Sequence, residues 1–187
     1  RLNGFNQTVT HILVTKDEQG AYILDGKSIK YTDFEKVTEV ATSASIIADM
    51  ALSKDGKWLI TATKKGLVTK YDIANNMTPS TVIENKQELT AVGISDKNEI
   101  ALGQANGTVK VFGMNTPEKV TQLVGHESWV NQIRFSSDGQ FIATASNDKT
   151  VRLWNRDKLT EQPTRLANLE DWAVSAGFNP DNSQLLV

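Results

Sequence analysis

Apolar and polar residues alternate along most of the chain in short runs, broken at intervals by clusters of Asp, Asn, Gly, Ser and Lys. Alternation with a period of two is the mark of a half-buried β-strand. No stretch of useful length carries the 3.6-residue apolar stripe of a helix. The pattern is clearest from Trp129 to Asn155. There an alternating run ends at Phe135, Ser137-Asp138-Gly139 makes a tight turn, and a second run covers Phe141 to Ser146. Asn147-Asp148-Lys149 turns again into a third strand, Thr150 to Asn155, and an extended piece around Thr164 to Leu166 supplies a fourth.

This unit recurs. A strand ending in an apolar residue before a polar turn appears at Val14, Leu52, Ile94, Phe135 and Phe178, in steps of 38, 42, 41 and 43 residues. A period of this size denotes a repeat architecture in which each unit is one small sheet. The second copy places its strands at Trp58 to Thr63 and Leu67 to Asp72, the third at Glu99 to Gly103 and Thr108 to Gly113, and the first leads into Ser28 to Asp33.

Gly125-His126 opens the best copy, and Trp154-Asn155 closes it twenty-eight residues later. This resembles the WD repeat, in which a Gly-His pair opens and a Trp-Asp pair closes a blade. The likeness covers the whole chain as periodicity and one repeat as a motif. Thr32, Tyr71 and Phe112 stand at the Trp position elsewhere, and Asn155 replaces the Asp. The resemblance implies an all-β fold, a β-propeller of four-stranded antiparallel blades. Blades are expected at 8–42, 46–84, 88–124 and 129–167, with a partial fifth at 172–187 and residues 1–5 as the outer strand of a preceding blade. That makes about four and a half blades, read as a fragment or an open part of a larger, seven-bladed propeller. Open blade edges invite self-association.

The resemblance also implies a hydrogen-bonded group of His126, Thr144, Asp148 and Trp154. It places on one face, the top, the turns between second and third strands and the connections into first strands. That face would carry Glu127, Trp129 and Lys149 from the fourth blade, Asp171 and Trp172 from the fifth, and Lys64 and Lys65 from the second.

Composition narrows the function. Twenty Lys and Arg face twenty-two Asp and Glu, so no positive excess favours a nucleic acid backbone or an anionic membrane. The 187 residues contain no Cys, which removes disulfides and thiolate chemistry and fits a cytoplasmic setting. No apolar run reaches membrane-spanning length. No phosphate-binding Gly loop and no metal-ligand spacing is present, so no cofactor or metal is expected.

Several residues invite catalytic readings. His126 beside Glu127 could form an acid–base pair, and Asp148, His126 and Thr144 could pass for a triad. The WD network instead accounts for these groups as buried ties, with no strained nucleophile turn and no oxyanion hole. His11 has no partner at any suggestive spacing and is read as an ordinary strand residue. The pairs Asp17-Glu18 and Glu170-Asp171 point to opposite faces of an extended chain.

Trp129 and Trp172 occupy equivalent rim positions, where an aromatic side chain buries a large area at small entropic cost. Their acidic neighbours Glu127, Glu170 and Asp171 suit a partner with Lys or Arg, while Lys64 and Lys65 would read a carboxylate. The expected function is a non-catalytic scaffold binding a protein or peptide on the top face. Two alternatives stand beside it: a regulatory WD-repeat domain of a larger protein with a nucleotide-hydrolysing switch, and a propeller enzyme using a channel or top-face site.

Overall fold

A computed structural model describes Phe5 and residues 7–187. Residues 1–4, most of the expected outer strand of a preceding blade, lie outside the described residues, and Phe5 is not in a strand.

The described chain is all β apart from one turn of 3₁₀ helix at Arg156–Lys158. Blade 1 comprises β1 (Val9–Val14), β2 (Ala21–Asp25), β3 (Ser28–Thr32) and β4 (Val37–Thr42). Blade 2 comprises β5 (Ile47–Leu52), β6 (Trp58–Thr63), β7 (Leu67–Asp72) and β8 (Thr78–Glu84). Blade 3 is β9 (Leu89–Ile94), β10 (Glu99–Gln104), β11 (Val109–Gly113) and β12 (Thr116–Leu123). Blade 4 is β13 (Val130–Phe135), β14 (Phe141–Ser146), β15 (Thr150–Asn155) and β16 (Thr164–Asn168). A hairpin of β17 (Gly177–Phe178) and β18 (Leu185–Leu186) follows. Every strand pairs antiparallel with its sequence neighbour, as short polar turns dictate.

The first-to-second-strand turns of blades 1, 2 and 4 share one device. Thr15, Ser53 and Ser136 each donate a hydroxyl proton to an Asp two residues on, Asp17, Asp55 and Asp138, at 2.6 Å. In blades 2 and 4 a glycine at φ 74° or 70° completes the turn, a conformation that favours residues lacking a Cβ.

Cores form between blades rather than within them, because each sheet is apolar on both faces. One cluster joins blades 1 and 2 through Tyr22, Leu24, Met50 and Leu59, and another joins blades 2 and 3 through Ile60, Val68, Leu89 and Ile100. A third sets Trp154 of blade 4 against Ala91, Ala101 and Val111 of blade 3. The far side of blade 4 packs Ala143, Ala145 and Val151 on Ala173 and Ala176. Full burial of each large aliphatic side chain contributes on the order of 2 kcal/mol.

Side-chain ties also join the innermost strands. Asp49 of β5 accepts the Val92 N–H of β9 at 2.8 Å, and Gln132 of β13, at the equivalent register, accepts the Ala176 N–H at 2.9 Å. One residue earlier, the Thr90 hydroxyl donates to the Val130 carbonyl at 2.7 Å, and the Asn131 amide donates to the Ala173 carbonyl at 2.9 Å. In all four the side chain belongs to one blade and the backbone group to the next.

Candidate functional site

Backbone bonds group the loops of one face. In blades 2, 3 and 4 the amide that opens the second-to-third-strand turn reaches the connection leading into its own blade: Lys64 N to Ile46 O at 3.1 Å, Ala105 N to Glu88 O at 3.2 Å, Asn147 N to Trp129 O at 2.9 Å. The blade 3 turn also lies against the connection into blade 4: Gly107 has φ 86°, and a Cβ there would lie 2.3 Å from the His126 carbonyl.

Blade 4 builds its half of this face on a polar network. The Trp154 indole N–H donates to Thr144 Oγ1 at 2.9 Å. Thr144 lies 2.7 Å from His126 Nε2, and His126 Nδ1 lies 2.8 Å from Asp148 Oδ2. These partners fix the tautomer: Nδ1 carries the proton toward the carboxylate, and Nε2 accepts from the Thr144 hydroxyl. Thr150, a residue that spacing alone did not single out, donates its hydroxyl to Asp148 Oδ1 at 2.6 Å. The backbone N–H groups of Glu127 and Thr150 also donate to Asp148, at 3.2 and 3.0 Å.

Burial and bonding set the charges. Burial pushes His126 below its ordinary 6.5, outweighing the support of the Asp148 carboxylate. Burial acts to raise Asp148, but the bonds from Thr150 and His126 overcome it and bring the carboxyl to about 2. A neutral imidazole thus sits on an ionised carboxylate. His126, Thr144 and Trp154 are all buried, so the Thr144 hydroxyl faces no solvent-accessible substrate. The network crosslinks two strands and a connection.

Above it lies an exposed rim. Trp129 is 42% exposed and Trp172 61%, with Val124 and Val174 also bare. Glu127, Glu170 and Asp171 are exposed beside them. The Lys149 ammonium is held by the Glu170 carbonyl at 2.9 Å, which ties the turn between β14 and β15 to the segment that follows β16. Lys64 and Lys65 stand apart on blade 2, exposed, lining a hollow of about 220 Å³ with Lys27 and Ile46.

His11 departs from its reading as a residue without a partner. Its Nε2 lies 3.3 Å from Asp49 Oδ1 on the neighbouring blade. Burial raises the Asp49 carboxyl, against the opposing pull of His11 and the Val92 N–H. Sequence spacing carries no signal for this pair, because the two residues meet only when blades stack. Among the described residues no cluster of three or more His, Cys, Asp or Glu could hold a metal, and no helix is long and apolar enough to cross a membrane.

Comparison with known proteins agrees with this geometry. The family model for the WD domain, G-beta repeat, matches residues 117–155, from β12 through β15. An uncharacterized WD repeat-containing protein of Synechocystis is 30% identical over 142 residues, 75% of this chain and 40% of its own length. Human WD repeat and SOCS box-containing protein 1 is 33% identical over 91 residues, 48% of this chain and 22% of that protein. Nuclear distribution protein nudF of Aspergillus niger is 25% identical over 141 residues, 64% of this chain and 32% of that protein. The chain therefore spans less than half the length of each of these relatives. With a matched repeat, four four-stranded antiparallel blades and relatives bearing the same repeats, the chain belongs to the WD-repeat family.

Proposed function

We propose that this chain is a non-catalytic scaffold that binds a protein or peptide through its top face, at the corner between blades 4 and 5. The observation that carries this reading is the exposure of Trp129 and Trp172 on adjacent blade tops. Large aromatic groups left bare on an ordered framework are the side chains that dominate binding energy at interfaces. The framework beneath them is ordered by the His126 network, which supports a preformed surface. Glu127, Glu170 and Asp171 flank the two tryptophans along the chain and are exposed, and the Lys149 ammonium is engaged by a carbonyl. A partner presenting Lys or Arg fits that charge.

The test is a titration of a partner recovered by affinity capture against the purified chain. Trp129→Ala should weaken binding by at least ~2 kcal/mol with thermal unfolding unchanged. A smaller loss rejects Trp129 as the anchor, and a loss confined to a Lys64→Glu, Lys65→Glu variant moves the contact to blade 2.

A second reading, a regulatory domain within a larger protein, is favoured by one observation. The chain spans 40% and 22% of the Synechocystis and human relatives, and the human relative's name joins WD repeats to a SOCS box.

A further inference from the structure

On the side opposite Trp129, the wedge between blades 1 and 2 opens into a cleft of about 680 Å³. Its lining includes Tyr22, Tyr31, Leu52, Met77, Asp17 and Asp55. The volume and the mainly apolar wall fall in the range of preformed binding sites.

Three features set this wedge apart from the others. First, Tyr22 and Tyr31 are cross-strand partners at the register where blade 3 pairs Ala101 with Val111 and blade 4 pairs Ala143 with Leu153. In blade 3 the small pair receives Trp154 from the next blade. In blade 1 the two phenol rings stand 5.3 Å apart, tilted by 55°.

Second, Asn76 and Met77 both have positive φ, 52° and 56°, in a turn closed by Thr78 N to Asn75 O at 3.1 Å. A left-handed methionine costs about 1 kcal/mol that a glycine would not. The side chain that accepts this strain is buried and walls the cleft.

Third, two carboxylates flank the mouth, and among the described residues one oxygen of each makes no short hydrogen bond. Asp17 Oδ1 takes the Thr15 hydroxyl and the Gln19 N–H, and Asp55 Oδ1 takes the Ser53 hydroxyl and the Lys57 N–H. Asp55 Oδ2 makes a long contact to the exposed Lys57 ammonium, at 3.7 Å. Lys16 also lines the cleft, so the lining residues by themselves carry one negative charge in excess, with the exposed Lys57 ammonium outside the lining.

We propose that this cleft docks an arginine side chain presented by a partner polypeptide, at a site separate from the top face. A planar guanidinium stacks on a tyrosine ring and forks toward carboxylate oxygens, while its methylene stem lies along Leu52 and Met77. A lysine would offer the same charge without the plane or the fork.

The experiment uses capped pentapeptides with a central arginine, lysine or citrulline, titrated calorimetrically at low ionic strength. Citrulline keeps the shape and removes the charge. The arginine peptide should bind about tenfold more tightly than the citrulline one, with lysine between, and should shift the Met77 methyl resonance. An Asp17→Asn, Asp55→Asn variant should lose the arginine preference, while Trp129→Ala should keep it. Equal binding of arginine and citrulline, no saturable binding, an unmoved Met77 methyl, or an undiminished preference in a folded double variant overturns the proposal. The citrulline comparison and the Met77 shift need no variant, so they decide the matter even if the double variant fails to fold.

Discussion

Asp148 is a buried-side acid made strong by its neighbours, and His126 is a base made weak by burial. Both lean the same way in acid. With the folded His126 below 6.5, the unfolded chain takes up that proton first, so stability falls as pH drops from 6.5 toward the folded value. With the folded Asp148 at about 2 against an ordinary 3.8, its contribution is full above 3.8 and is lost as pH falls through 2. Asp148→Asn should flatten the acid limb between those two values and lower stability at neutral pH by about 1–3 kcal/mol. Urea unfolding at a series of pH values measures both effects, and an unchanged slope below 3.8 would show that Asp148 is not the group responsible. Four of the five residues in this network were legible because a repeat motif fixes their offsets. Thr150 was not, since a threonine in a strand carries no sign of whether its hydroxyl faces water or an aspartate.

Among elements, the strands and turns were the most legible part. The flanking polar turns located Phe141–Ser146, Trp58–Thr63 and Leu67–Asp72 to the residue, although the first and second are buried on both faces between blades. The fourth strands were the hardest. β12 runs Thr116–Leu123 with most of its residues exposed or half-buried, and an outer strand that meets water has little reason to alternate. The inner-strand ties escaped reading altogether, since they cross between repeats about forty residues apart. Asp49 shows what one of them is worth. Its carboxylate serves the Val92 N–H and the Met50 N–H, both on fully buried residues. Asp49→Ala leaves both donors without an acceptor and should cost about 2–4 kcal/mol, offset in part by relief of a desolvated charge. Asp49→Asn, which keeps an acceptor oxygen, should cost clearly less. Equal shifts in the urea midpoint for the two variants would mean that the tie carries no stability.

For the molecule as a whole, stability is a sum over blades and the contacts between neighbours. The blades are unequal. Blade 2 has Tyr71 where blade 4 has Trp154, and Lys65 where blade 4 has Asp148, so it cannot form the same crosslink. Amides of Phe141–Ser146 should exchange with solvent more slowly than those of Trp58–Thr63. Equal or reversed rates would show that the interblade cores, rather than the polar network, set local rigidity.

The inner-strand ties have a direction. Thr90, Asn131, Asp49 and Gln132 each reach forward with a side chain to a peptide N–H or C=O group, and at Gln132 the Ser175 hydroxyl adds a bond of 2.9 Å. At these four backbone contacts the receiving segment needs no particular side chain, whereas the His11–Asp49 contact between blades 1 and 2 does require one. Mutational drift in a repeat is tolerated by the blade before it and felt by the blade after it. Copies as unlike as Leu89–Ile94 and Gly177–Phe178 can occupy the same place in the array, and their divergence accumulates without loosening the joints that precede them.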